Sequence, residues 1–126
     1  MVKKPTETLI SAKIRQAMDG DEIFFATKVA KVNRFINDKR VLVIAGCNFY
    51  LFDGDDMVKG FAVKRLDALI RSTASDEIAF IYPSSKDLRL SGIKEEVANE
   101  LQGHLQDIYA TKVKGHTLMI YRVPQK

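Results

Sequence analysis

Residues 39–53 read KRVLVIAGCNFYLFD, and this stretch decides the fold. Its first part, 39–45, is a mostly apolar and β-branched run of the kind that forms a central strand. The tripeptide GCN at 46–48 has the composition of a tight turn, and the aromatic run at 49–52 predicts the next strand. The stretch therefore predicts an antiparallel β-hairpin.

Short strands are predicted on both sides of this hairpin. On its N-terminal side, residues 22–32 are rich in Ile, Phe and Val, and Asn37 and Asp38 form a turn signal. On its C-terminal side, the aspartates and glycine at 53–56 predict a hairpin turn, and PSS at 83–85 predicts a later one. The strands predicted after the hairpin are 57–66, 69–73, 77–82 and 88–90.

The N-terminal segment at about 8–19 is predicted to form a helix, because its apolar residues recur at helical spacing. Thr6 or Thr8 is a candidate N-cap, and Asp19 followed by Gly20 predicts the end of the helix. Such a helix either packs onto the strands or offers a face to a partner, and the sequence leaves both interpretations open.

A second helix has the clearest signal in the chain. It is predicted over about 92–112, with Ser91 as a candidate N-cap, because an apolar stripe runs through it at intervals of four, four, four and three residues. A last strand at about 117–123 follows Gly115, and it could extend the sheet or offer an edge to a partner strand. The apolar stripe consists of Ile93, Val97, Leu101, Leu105 and Ile108.

Together these elements predict one domain over 1–126 with an α+β, mainly β fold. The run of antiparallel hairpins at about 22–91 has to bury one face, and the amphipathic helix at 92–112 carries a matching apolar stripe. We therefore predict a small barrel or sandwich of about seven strands that this helix covers at one open end.

The composition is that of a globular domain in a reducing compartment. The chain has 126 residues, of which 46% are hydrophobic and 29% charged, so it can bury a core and is not a disordered tail. Cys47 is the only cysteine, so an internal disulfide is impossible. No apolar run approaches the roughly 20 residues of a membrane-spanning helix. We expect a cytoplasmic protein, at most peripheral to a membrane or to the cytoskeleton.

The net charge of +4 is concentrated in one short stretch. Between residues 28 and 40 there are five basic residues and one acid, Asp38, while the other 15 basic and 15 acidic residues cancel. This concentration indicates an anion-binding patch on one hairpin, and a solvated hairpin that protects an edge strand is the alternative. The five basic residues are Lys28, Lys31, Arg34, Lys39 and Arg40.

Residues 20–34 read GDEIFFATKVAKVNR, and they resemble the opening of the class I myosin tail homology 1 domain. The resemblance continues through RVLVI at 40–44, NFYLFD at 48–53 and VKRLDAL at 63–69, and it covers residues 8 to about 112. It implies a pleckstrin-homology-like fold, which is a bent seven-stranded barrel with a C-terminal helix across one end.

The resemblance also implies a function, the binding of acidic phospholipids and especially of phosphoinositides. In such domains a Lys on the first strand and an Arg on the second hold the inositol phosphates, and these residues match Lys31 and Arg40. Asp38 stands where the family has a basic residue, and a carboxylate there repels phosphate. The other residues that would supply positive charge are Lys28, Arg34, Lys39 and, from the next hairpin, Lys64.

Other classes of function have weaker support from the sequence. The main alternative is a cytoskeleton-associated adapter that uses the same fold to bind a protein rather than a lipid, and Asp38 favours it. Nucleic-acid binding is not expected, because no aromatic stacking residues interleave with the basic ones. Catalysis and cofactor binding are not expected either, because no nucleophile–base pair or metal-binding pattern is present.

The acidic turn and the two histidines do not have the spacing of metal ligands. Asp53, Asp55 and Asp56 lack the glycine and glutamate positions of an EF-hand loop, so they predict a hairpin turn. His104 and His116 have no cysteine or acidic partner at ligand spacing. We therefore predict no metal site.

Overall fold

The computed structural model describes residues 10–32, 37–72, 75–83, 87–113 and 115–123. Within these residues the chain forms two α-helices, eight strands and one short 3-10 helix. The elements, in chain order, are α1 (Ala12–Ala17), β1 (Ile23–Val32), β2 (Asn37–Ala45), β3 (Asn48–Asp53), β4 (Asp56–Ala62), the 3-10 helix (Val63–Arg65), β5 (Ala68–Ser72), β6 (Ile78–Ile81), β7 (Leu88–Ser91), α2 (Glu95–Lys112) and β8 (Met119–Val123).

The strands form one bent sheet in the order β4-β3-β2-β1-β7-β6-β5-β8. Strands β1 to β4 are consecutive antiparallel neighbours, and β5 to β7 form a second antiparallel run. The two runs meet where Ala30 pairs with Ser91 and Lys31 pairs with Leu90. The sheet is not closed within the described residues, because β4 and β8 stand at its two ends. The predicted α+β, mainly β fold is confirmed.

The inner face of the sheet, which α2 covers, holds the main core. Phe49 is fully buried there, with its ring centroid 4.8 Å from that of Phe61 and 5.1 Å from that of Phe80. Leu101 and Leu105 of α2 are also fully buried against these residues. The predicted apolar stripe of α2 therefore packs against the inner face of the sheet.

The outer face of the sheet holds a second, smaller core, which α1 covers. Ile14 and Met18 from this helical segment pack against residues such as Ala26, Val43 and Phe52. Because successive side chains of a strand point to opposite faces, β1, β2 and β3 contribute alternate residues to the two cores. The open question about the N-terminal helix is thus answered in favour of packing.

The two predicted helices begin later than the sequence suggested. Ser11 is the N-cap of α1, and its Oγ accepts a hydrogen bond from the amide of Ile14 at 3.2 Å. The predicted caps Thr6 and Thr8 lie outside the described residues. In α2 the N-cap is Lys94 rather than Ser91, because Ser91 is the last residue of β7, where its hydroxyl donates to Ala30 O at 3.5 Å.

The strand boundaries differ from the prediction at two places. The predicted turn at Asn37 and Asp38 is wrong, because these residues pair with Val32 and Lys31 as the start of β2. The predicted strand 57–66 ends early and turns into the 3-10 helix, where Leu66 N donates to Val63 O at 3.0 Å. At the first place, pairing with β1 overrides the local turn signal.

The predicted last strand extends the sheet. β8 pairs in parallel with β5, from Ala68 opposite Met119 to Ser72 opposite Val123. Neither of the two α-helices within the described ranges is apolar enough over a sufficient length to cross a membrane.

Candidate anion-binding site

The pairing of β1 with β2 places two of the predicted basic residues on the inner face of the sheet. Arg40 lies opposite the buried Val29, and Lys31 lies opposite Asp38. Directly opposed residues of an antiparallel pair point to the same face, so all four share the face that carries the main core. We call Lys31 and Arg40 the inner pair.

The inner pair is accompanied by carboxylates. Arg40 Nη2 lies 3.8 Å from Asp38 Oδ2, and Arg40 Nη1 lies 3.9 Å from Asp53 Oδ1, while its side chain is 16% exposed. Arg40 Nη1 also donates to Lys39 O at 2.8 Å. Lys31 and Arg40 therefore face Asp38 and Asp53, and the charges on this side of the hairpin balance.

The other two described basic residues lie on the outer face. Lys28 opposes Val41, which packs on the outer core, and Lys39 opposes Ala30. Both lysines are exposed, and within the described ranges no carboxylate oxygen lies within 4.0 Å of either ammonium group. We call Lys28 and Lys39 the outer pair. Of the four described basic residues of the hairpin, only Arg40 has a carboxylate oxygen within 4.0 Å in the described part of the chain.

A cavity of about 450 Å³ opens at this end of the sheet. It lies between the β1–β2 hairpin, the turn after β3 and the residue that follows β7, so three parts of the chain meet there. Gly54 adopts a φ of 62°, which the tight turn between β3 and β4 requires. The polar and glycine residues that line the cavity are Lys28, Lys39, Arg40, Asp53, Gly54 and Gly92.

The remaining two predicted site residues do not join this group in the described structure. Arg34 lies outside the described residues. Lys64 lies in the 3-10 helix, next to Val63, whose amide donates to Cys47 O at the other end of β2. At about 3.3 Å per residue, the part of β2 that separates these ends is roughly 17 Å long. Lys64 lines a different cavity, of about 420 Å³.

Asp53 is a site residue that the sequence analysis treated only as part of a turn. The tight turn after Ala45 pairs Val41 with Phe52, so the next position outward brings Asp53 alongside Arg40. The turn sets the register of this hairpin, and that register alone predicts that Asp53 lies beside Arg40.

Arg71 is a second polar residue that the sequence analysis did not single out. It is 4% exposed, and its Nη1 donates to Asn99 Oδ1 and to Gln102 Oε1, each at 2.8 Å. Burial lowers the pKa of its guanidinium, Arg122 beside it lowers this pKa further, and Glu95 opposes the shift. These hydrogen bonds tie β5 to α2, so Arg71 positions the helix on the sheet.

Tyr82, which lines the same cavity as Lys64, gives the protein a pH-dependent stability. It is 9% exposed, its hydroxyl has no hydrogen-bond partner among the described residues, and burial raises its pKa. An unfolded tyrosine ionises near pH 10, so this group stabilises the fold below that pH, and the contribution is lost as the pH rises towards the folded pKa. Between pH 8 and 11 we expect wild type to lose about 1 kcal/mol more stability than Tyr82→Phe.

Urea unfolding of both proteins at the two pH values measures this difference. Tyr121→Phe is the matched control, because Tyr121 is 48% exposed and should behave as wild type does. An equal loss in wild type and Tyr82→Phe would contradict the assignment to Tyr82.

No protein-family model matches the chain, and no curated protein sequence matches it either. Among solved structures, the N-terminal PH domain of human ARAP2 has a TM-score of 0.62 at 10% identity, with 73% of this chain and 84% of that chain covered. The PH domain of human pleckstrin homology domain-containing protein family A member 5 has a TM-score of 0.59 at 7% identity, with 91% and 94% covered.

A third similar structure is the DH/PH fragment of PDZRHOGEF, solved in complex with human RhoA. Its TM-score is 0.59 at 9% identity, and the match covers 72% of this chain and 29% of that chain. At such identities the likeness is one of fold alone, and the more specific resemblance to the myosin tail homology 1 domain stays a prediction. The chain has the pleckstrin-homology-like fold.

Proposed function

We propose that this chain is a non-catalytic binding module that attaches to acidic phospholipids, phosphoinositides included, through the β1–β2 hairpin. The observation that carries the proposal is the position of the charge excess. Lys28, Lys39 and Arg40 line a cavity of about 450 Å³ at one end of the sheet, and Lys31 lies on the same hairpin. Local positive charge of this kind attracts the anionic surface of a cytoplasmic membrane leaflet.

The strength of such an attachment follows from the number of cations that can reach the surface. Each Lys or Arg close to an anionic bilayer contributes about 1 kcal/mol. Within the described residues, Lys28 and Lys39 have no carboxylate within 4.0 Å and can contribute fully, whereas Arg40 lies 3.8 and 3.9 Å from Asp38 and Asp53. We expect weak, reversible binding in which screening by salt matters more than the identity of one head group.

Sedimentation with vesicles tests this proposal. We expect the protein to pellet with phosphatidylcholine vesicles that contain 30% phosphatidylserine, and the bound fraction to fall several-fold between 50 and 300 mM salt because the charges are screened. Pure phosphatidylcholine vesicles are the control, and they should bind little protein. A third set with 3% phosphatidylinositol bisphosphate reports whether a phosphoinositide adds affinity beyond its charge. Failure to pellet with both acidic mixtures at 50 mM salt would overturn the proposal.

A second candidate function is protein binding, as in an adapter associated with the cytoskeleton. The observation that favours it is β8, an end strand of the sheet whose Met119 and Tyr121 side chains are 50% and 48% exposed. A partner strand could add to such an edge through main-chain hydrogen bonds. Absence of binding to every vesicle would favour this second function over the first.

A further inference from the structure

We propose, on the basis of the lipid-binding function above, that the membrane contacts the exposed residues on the outer side of the β1–β4 sheet, beside α1, which covers the centre of this face. The contact surface comprises Lys28, Lys39 and Met57, and we call it the outer surface. In this arrangement Lys31 and Arg40, the inner pair, do not carry the attachment, although the family resemblance assigns the phosphate contacts to them.

The residues of the outer surface belong to one row of the sheet, and Phe52 within this row is fully buried under α1. Lys28 pairs with Val41, Val41 pairs with Phe52, and Phe52 pairs with Met57, so these residues form one row across four strands on the same face. Neighbouring strands are about 4.8 Å apart, which places the backbone of Lys28 roughly 14 Å from that of Met57. Lys39 lies one diagonal step from Lys28, about 7 Å away. The exposed residues therefore lie towards the two ends of the row, with Lys28 and Lys39 on the hairpin and Met57 on β4.

The charges differ between the two faces. On the inner face, Asp38 and Asp53 lie beside Arg40, and Asp38 also opposes Lys31. On the outer face, Lys28 and Lys39 have no carboxylate within 4.0 Å in the described part of the chain. An anionic surface is therefore attracted by the outer pair, whereas on the inner face Arg40 lies beside Asp38 and Asp53, and these two carboxylates repel the anion that Lys31 attracts.

The outer surface also combines its cations with exposed apolar groups. Met57 is 43% exposed, and its neighbour Val58 is 47% exposed. Apolar side chains beside lysines are the composition of surfaces that lie at the boundary between head groups and acyl chains.

The acids near this surface are Asp53, which lines the same cavity as Lys28 and Lys39, and Asp55 and Asp56, which lie just before and at the start of β4. Asp56 accepts a hydrogen bond from Lys13 Nζ at 2.8 Å, so α1 neutralises it, while Asp55 stays exposed in the turn. Asp53 lies 3.9 Å from Arg40, so within the described residues Lys28 and Lys39 are accompanied by one carboxylate, that of Asp55, that has no ion-pair partner within 4.0 Å.

Two matched double variants separate the faces. Lys28→Gln/Lys39→Gln and Lys31→Gln/Arg40→Gln each remove two positive charges. At 150 mM salt, where the Debye length is about 8 Å, we expect the outer variant to lower partitioning onto 30% phosphatidylserine vesicles about 30-fold and the inner variant less than 3-fold. Thermal unfolding by circular dichroism shows whether each variant is folded.

A second readout does not depend on charge removal. The substitution Cys47→Ser first removes the exposed thiol of Cys47. A new cysteine is then introduced by Met57→Cys or, as a control, by Tyr121→Cys on β8, and an environment-sensitive fluorophore is attached to it. Phosphatidylserine vesicles should shift the emission of the label at position 57 to the blue and leave the label at position 121 unchanged.

The possible failures are distinguishable. If wild type does not bind acidic vesicles, the lipid-binding function itself is wrong. Suppose that wild type binds, but the inner variant loses binding while the outer variant keeps it. The placement on the outer surface is then wrong, and the lipid-binding function stands. The same conclusion follows if wild type binds but the label at position 57 does not respond.

Discussion

Phe49→Ala is expected to lower the free energy of unfolding by about 3–5 kcal/mol, which is a large share of the stability of a domain of this size. Phe49 is fully buried on the inner face, and its ring contacts those of Phe61 and Phe80 at centroid distances of 4.8 and 5.1 Å. Truncation removes these contacts and leaves a cavity that the surrounding strands cannot close, because rings from β4 and β6 form its walls.

Equilibrium unfolding in urea measures this loss. The matched control is Phe24→Ala, since Phe24 is 39% exposed and lies against His104 at the surface with a ring-centroid distance of 6.3 Å. Phe24→Ala should lower the free energy of unfolding by less than about 1 kcal/mol. Equal effects of the two substitutions would show that the inner core does not depend on Phe49.

Ile14→Ala is expected to destabilise the docking of α1 by about 2–5 kcal/mol. Ile14 is 1% exposed and, with Met18, joins α1 to the outer core that includes Val43 and Phe52. A helix of six residues has little stability of its own, so its position depends on this packing.

Hydrogen exchange measures the effect on α1 directly. The amides of Ile14 and Met18 should exchange much faster in Ile14→Ala than in wild type, because both donate within this helix, to Ser11 Oγ and to Ile14 O. Gln16→Ala is the control, since Gln16 is an exposed residue of the same helix. Unchanged exchange at these amides in Ile14→Ala would contradict the role of the outer core.

Most of the fold follows from patterns that are local in the sequence. The hairpin at 39–53 forms as predicted because Gly46, with a φ of 59°, and its neighbour make a turn that both flanking strands accept. The buried side of α2 is likewise predictable from the local sequence, because the spacing of its apolar residues defines that side. Asn37 and Asp38 were mispredicted for the opposite reason, since their strand conformation depends on pairing with β1 rather than on their own turn preference.

The site was less predictable than the fold. The sequence shows that the basic residues cluster along the chain, but clustering does not say which face of a sheet each one occupies. A shift of β2 by one residue against β1 would have put Lys39 on the inner face and Arg40 on the outer face, and the residues 33–36 that connect these strands contain no short turn signal that sets the register. Lys64 was misplaced because the chain leaves the sheet at Val63, where the apolar pattern continues without a break.

The parallel pairing of β8 with β5 has a consequence for synthesis in the cell. The two strands are about 50 residues apart along the chain, with α2 between them. While the chain emerges from the ribosome, β5 and β6 can pair early, but the far edge of β5 stays open until β8 has been translated. Contacts of such long range form slowly, and an open edge of this kind attracts other strands. Pairing with β8 therefore closes an edge of β5 that is exposed to wrong partners during synthesis.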